Sequence, residues 1–159
     1  MITYTKDLTL LGTDLALEYL TSAGTFEDAD LRPAMGLRGA PRRGRDLAAV
    51  RDVEAAVQLL ANRLKTAKGE LAPLGHPEYG SRHHELIGQP NVERTRSLIK
   101  LHVLEALRHE PRIQEVARCD VFAPHDPPRD QVRIELDLVL IGMSTPLNLV
   151  VPFNLGGPA

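Results

Sequence analysis

The tightest constraint in this chain is a strict alternation over residues 131–141. Val132, Ile134, Leu136, Leu138 and Leu140 fall on one side, and Arg133, Glu135 and Asp137 on the other. A period of two puts these sets on opposite faces of an extended strand, so one face must be buried. Past Asp137 the second face carries Val139 and Ile141, which predicts cover on both sides at that end. Residues 116–123 read as a preceding strand, joined through the proline-rich loop 123–130. Residues 147–153 read as a third strand, and Pro152, which cannot donate to a ladder, favours an edge position.

Upstream the period changes. Over residues 52–65, Val53, Ala56, Val57, Leu60, Ala61 and Leu64 share one arc at 100° per residue, predicting a helix with Asp52 as its cap and Gly69 as terminator. Residues 47–50 fit a first turn or a short strand. Residues 71–80 are turn-rich, and Ser81 is placed to cap a short helix over 82–87. Asn91 is placed to cap the longest helix, 92–109, whose main face carries Val92, Thr95, Leu98, Ile99, His102, Val103 and Ala106. Pro111 stops that helix at Glu110. On its other side Leu101 and Leu104 project among Glu93, Arg94 and Arg108, which points to a second packing partner. Residues 2–20 suggest short strands. Residues 21–46 read as one long loop, acidic at Glu27, Asp28 and Asp30, then basic at Arg38, Arg42, Arg43 and Arg45. The expected fold is α+β, with two main helices packed on a small antiparallel C-terminal sheet and short N-terminal strands. Residues 1–46 form an N-terminal extension, and residues 47–159 the main domain with its C-terminal edge strand.

Chemistry is poorly supplied. A net charge of −2 and a pI near 6.3 give no global field toward nucleic acid or anionic lipid. No apolar run suits a membrane span, the N-terminus does not read as a secretory signal, and Cys119 stands alone, which together suggest a reduced, cytoplasmic protein. The Arg38–Arg45 cluster reads as a solvated loop balanced by the upstream acids, or as a protein interface. His84-Glu85-Leu86-Ile87-Gly88 begins like a zinc-protease helix but has Gly88 where the second histidine is required. His83 and His84 point about 100° apart on a helix, and His102 reads as a half-core imidazole, so neither a metal nor a cofactor is expected. There is no nucleophile elbow and no phosphate loop, and Cys119 reads as a structural strand residue. Glu70, Glu78 and Glu85 offer paired carboxylates for glycoside hydrolysis, but the chain has no Trp to line a sugar cleft.

What remains is a set of short motifs in a fixed order. Arg63-Leu64-Lys65-Thr66 precedes Gly69-Glu70, then Pro77-Glu78-Tyr79-Gly80-Ser81, then Glu85-Leu86-Ile87-Gly88, and finally Glu110-Pro111-Arg112 after a helix ending in Ala106-Leu107. Over residues 47–141 this series resembles the baseplate-wedge sheath-initiator family (GPW type) of contractile phage tails, which has similar members in type VI secretion and extracellular injection particles. His83-His84 departs from the usual small or apolar residues, and residues 21–45 and 147–159 fall outside the match.

The resemblance implies a non-enzymatic component of the inner baseplate, assembled with six-fold symmetry in the cytoplasm and then carried in the particle. Its partners would be baseplate wedge proteins, the sheath subunit, and tube or spike-hub proteins, with no nucleic acid and no membrane. In this reading Glu110, Pro111 and Arg112 present two opposite charges in a fixed geometry to a neighbouring bundle, the alternative being a local ion pair. Tyr79 is an amphipathic anchor or an ordinary core contact. Leu147, Leu149 and Val151 form an apolar edge open to strand addition, or an intramolecular lid. Two other classes stay open: a peptidoglycan hydrolase of a tail baseplate, and an anti-adaptor-like binding protein of the same fold.

Overall fold

The computed structural model describes residues 11–22, 25–34, 47–125 and 129–156. Among the described residues, seven strands and two α-helices follow one another as β1 (Thr13–Leu15), β2 (Leu17–Ser22), β3 (Thr25–Leu31), β4 (Ala49–Arg51), α1 (Asp52–Lys65), α2 (Glu93–Arg108), β5 (Ile113–Phe122), β6 (Gln131–Leu140) and β7 (Leu147–Asn154). Two short 3-10 turns, Ala72–Leu74 and Arg82–Leu86, lie between the helices.

The alternating strand is the centre of the molecule. β6 lies between β5 and β7, antiparallel to both, and the five residues of its apolar face, Val132, Ile134, Leu136, Leu138 and Leu140, are fully buried. The register sets Leu136 between Cys119 and Leu149, and Ile134 between Val121 and Val151, so all three strands turn the same parity inward. Leu60 and Leu64 of α1 and Ile99, Val103 and Leu107 of α2 pack onto this face. Each such side chain contributes about 1.5–3 kcal/mol of transfer free energy. The charged face stays outside, where Arg118 of β5 bridges Asp137 at 2.7 Å and Glu135 at 3.4 Å across the pair. The register of β5 shifts between Ile113 and Glu115 and between Val116 and Arg118, bending the strand where it leaves the α2 turn.

β7 ends the three-stranded sheet, consistent with Pro152 at an edge. β3 passes beside it but belongs to a separate two-stranded sheet with β2. The N-terminal strands are knitted to α1. β1 pairs with β4, and the buried Gln58 of α1 donates to the Leu15 carbonyl at 2.7 Å while accepting from the Leu17 amide at 2.8 Å.

Several expectations are corrected. Thr25–Leu31, assigned to a long loop, is a strand, because pairing with β2 supplies a ladder that its acidic composition does not advertise. Residues 35–46, with the arginine cluster, and residues 2–10 lie outside the described residues. Asp52 makes no side-chain cap; its backbone is left-handed at φ 53° and its amide is held by the Gly12 carbonyl at 3.0 Å. Helix α1 stops at Thr66 rather than Gly69, with the Thr66 hydroxyl donating to the Asn62 carbonyl. Asn91 is drawn away from α2, donating instead to the Arg129 and Gln131 carbonyls, so the N-cap position passes to Val92. The second packing partner expected for Leu104 is this chain's own core, on which it lies half-buried.

Because β6 holds both sheet and helices, Leu136→Ala should lower unfolding free energy by about 2–5 kcal/mol in urea denaturation. The exposed Glu115→Ala should change it by less than about 0.5 kcal/mol.

Candidate functional site

The motif residues meet where α1 ends, α2 ends and the intervening loop returns. After Arg108 the chain makes a tight turn, with the Glu110 amide on the Leu107 carbonyl and the Ile113 amide on the Glu110 carbonyl. Pro111 fixes this turn and aims the Glu110 side chain inward, where only 2% of it is exposed. A carboxylate in such a place must be paired. Its Oε2 meets Arg63 of α1 at 3.2 Å, and its Oε1 takes the Arg112 guanidinium at 3.1 Å and the Arg112 amide at 3.2 Å. Arg63 also lies over the Tyr79 ring, 4.7 Å from its centre. Burial pushes the Tyr79 hydroxyl up in pKa, against the nearby Arg63 charge.

Tyr79 is placed by a backbone zipper. The Ser81 amide donates to the Thr66 carbonyl at 2.9 Å, and the Lys68 amide to the Ser81 carbonyl at 3.1 Å. Gly80 sits inside this zipper at φ 97°, where a Cβ would stand 2.6 Å from the Thr66 carbonyl oxygen, so no other residue fits. Lys68 reaches Glu78 at 3.1 Å and Glu105 of α2 at 3.6 Å, and the Glu78 contact raises its pKa.

The loop then grips β7. His83 is buried, its Nδ1 2.7 Å from the Ser81 hydroxyl and its ring edge-on to Phe153 at 4.5 Å. His84 stacks on it at 4.2 Å and uses Nε2 on the Leu64 carbonyl. The Gly88 amide reaches the Leu155 carbonyl at 2.6 Å. Burial, reinforced by His84 and His102, drives the pKa of His83 down to about 3.

The expected partner residues therefore separate into two groups. Glu110, Pro111, Arg112 and Tyr79 come together, but both Glu110 oxygens are occupied within the chain, and one third (33%) of the Arg112 side chain remains exposed. Leu149 and Val151 face the core and Leu147 is half-buried, so β7 presents Asn148 and Val150 outward, 39% of Val150 being exposed. Those two follow from strand parity, the signal that names their inward neighbours. Leu101 stands apart on α2. Arg63 was legible only as a motif member; nothing in sequence spacing pairs it with a residue 47 positions away.

The carboxylates considered for hydrolysis are all exposed. Glu70 accepts from the Ala67 amide, Glu78 is tied to Lys68, and Glu85 is held ionised below its ordinary pKa by its hydrogen bonds with Arg82. An open pocket between residues 88–91, 129–130 and 155–156 contains none of them, and its carboxylate is Asp130. The Cys119 thiol is buried and its pKa raised by that burial. Among the described residues no three His, Cys, Asp or Glu side chains lie close enough to hold an ion. No described helix is long and apolar enough to cross a membrane.

Two measurements check the site. Glu110→Ala should cost about 3–5 kcal/mol in chemical denaturation by stranding the Arg63 charge, and the pair Arg63→Met with Glu110→Leu should recover much of it. His83 has a folded pKa below its ordinary 6.5, so between pH 6.5 and about 3 the unfolded chain binds a proton that the native one does not. Stability should fall with pH across that window, by up to about 1.4 kcal/mol per unit, and His83→Gln should flatten the slope.

A family model described as baseplate wedge protein gp25 matches residues 50–142, from β4 through the end of β6. A crystal structure of a Geobacter sulfurreducens protein, provisionally named a tail lysozyme, superposes with a TM-score of 0.57 at 29% identity, over 67% of this chain and 93% of that one. No curated protein matches the chain. The family match takes in α1, the motif loop, α2 and the Glu110 turn, over half of the 159 residues, and the chain belongs to the gp25 baseplate wedge protein family.

Proposed function

We propose that the chain is a non-catalytic assembly component of a contractile tail or injection particle that joins the wedge and starts the sheath by strand exchange. Membership in the baseplate wedge family supports the structural role. The observation that carries the finer step is β7. It ends its sheet, laddered only to β6 with β3 passing beside it, and its apolar side chains anchor it in the core; in this reading its outer edge takes the partner's strand. The sheath subunit is the proposed source of the added strand. Wedge proteins would take the surface around Arg112 and Tyr79, and tube or spike-hub proteins would be further neighbours. The chain would fold and assemble in the cytoplasm before entering the particle.

The Geobacter sulfurreducens neighbour's name raises a hydrolase as the second reading. A glycosidase acid needs a raised pKa in a dry cleft. Glu85 is exposed and its pKa lies below the ordinary value, which favours the structural reading.

Val150→Lys puts a charge on the outer face of β7, and Arg112→Ala leaves Glu110 its Arg63 counter-ion, so both variants should fold. Each is expected to give particles with bare tubes in electron micrographs. Normally sheathed particles from both would refute the reading. Clearing of cell-wall sacculi by the purified chain, lost in Glu85→Gln, would establish the hydrolase instead.

A further inference from the structure

Helix α2 buries Thr95, Ile99, Val103, Ala106 and Leu107, and on its opposite side Leu101 stands exposed among polar residues. Leu98, Leu101 and Leu104 follow at three-residue spacing, which lines them up as an oblique ridge. Leu101 is the crest, 58% exposed, with Leu98 half-buried on one flank and Leu104, which also packs on the core, on the other. Arg94 and Arg108 stand one heptad to either side of Leu101. At 100° per residue both lie within about 20° of it, on a line about 21 Å long. Both arginines are exposed, and neither makes a hydrogen bond or ion pair among the described residues.

The neighbouring charges are committed. Lys100 pairs with Asp120 and Glu105 with Lys68, and Arg96 donates to Asn91. Glu93 lies about 80° from the ridge in the first turn, where the helix dipole favours it. The line Arg94–Leu101–Arg108 therefore presents an apolar crest between two unmatched cations at heptad spacing. A three-residue ridge fits the four-residue grooves of a second helix crossing at about 20°. A second copy of this chain does not fit, because parallel or antiparallel pairing of the ridges would bring arginine onto arginine.

We propose that this face of α2 docks an acidic amphipathic helix of another tail protein, its apolar seam on the leucine ridge and its carboxylates on Arg94 and Arg108. The proposal rests on the assembly reading for the existence of such a partner, but it uses a surface separate from β7.

The test measures fluorescence anisotropy of a labelled three-heptad peptide, leucine at the seam and glutamate beside it, against the full chain, with a lysine-for-glutamate twin as control. The acidic peptide should bind, more weakly as salt rises, and its twin should not. Arg94→Glu with Arg108→Glu should lose about tenfold or more in affinity and accept the lysine twin instead. Leu101→Asp should abolish binding with circular dichroism unchanged. No binding, equal binding of both peptides, an unaltered affinity in the charge-reversed variant, or a sedimenting dimer dissolved by Leu101→Asp would overturn the proposal. Bare-tube particles from Val150→Lys would survive any of those results, so the two readings fail separately.

Discussion

One buried carboxylate organises this molecule. Glu110 brings no apolar surface to the core, and its buried carboxylate is met by guanidinium groups from two directions, the buried Arg63 on α1 and the part-exposed Arg112 just before β5. The two cations fix where the helices end relative to each other and where the sheet begins. The proline between Glu110 and Arg112 removes the remaining freedom of the turn.

The loop between the helices is built around the same point. It has little regular structure, yet its backbone groups are paired by the zipper at Thr66–Ser81, and its side chains touch all three neighbouring elements. Tyr79 lies beneath Arg63, Lys68 reaches α2, and His83 reaches β7. Motif positions that look scattered along the chain are adjacent in space. The pattern binds the two helices and the sheet together through one loop.

The meander and both helices were legible because burial writes a period into sequence: two for β6, near four for α1 and α2. Their ends were less so. Asp52 and Asn91 have the chemistry of caps, but tertiary hydrogen bonding claims the backbone of one and the side chain of the other. The β2–β3 hairpin was hidden because its ladder is satisfied mainly by backbone, and an acidic strand carries no alternation to read. On β7 the apolar residues were correctly seen as a strand, but hydrophobicity named the side chains that hold it in place, not those it presents. The fate of Glu110 was the hardest to see. A Glu-Pro-Arg triplet is compatible with display or with burial, and only the arrival of Arg63 from α1 decides between them.

β7 is matched to β6 over eight residue pairs, from Leu138–Leu147 to Gln131–Asn154, and is tied again at Phe153 and Leu155. Ladder hydrogen bonds run perpendicular to the strands. A pull directed along β7 would therefore load them together in shear instead of peeling them one at a time. An edge strand held in this way yields only when several of its pairs break at once.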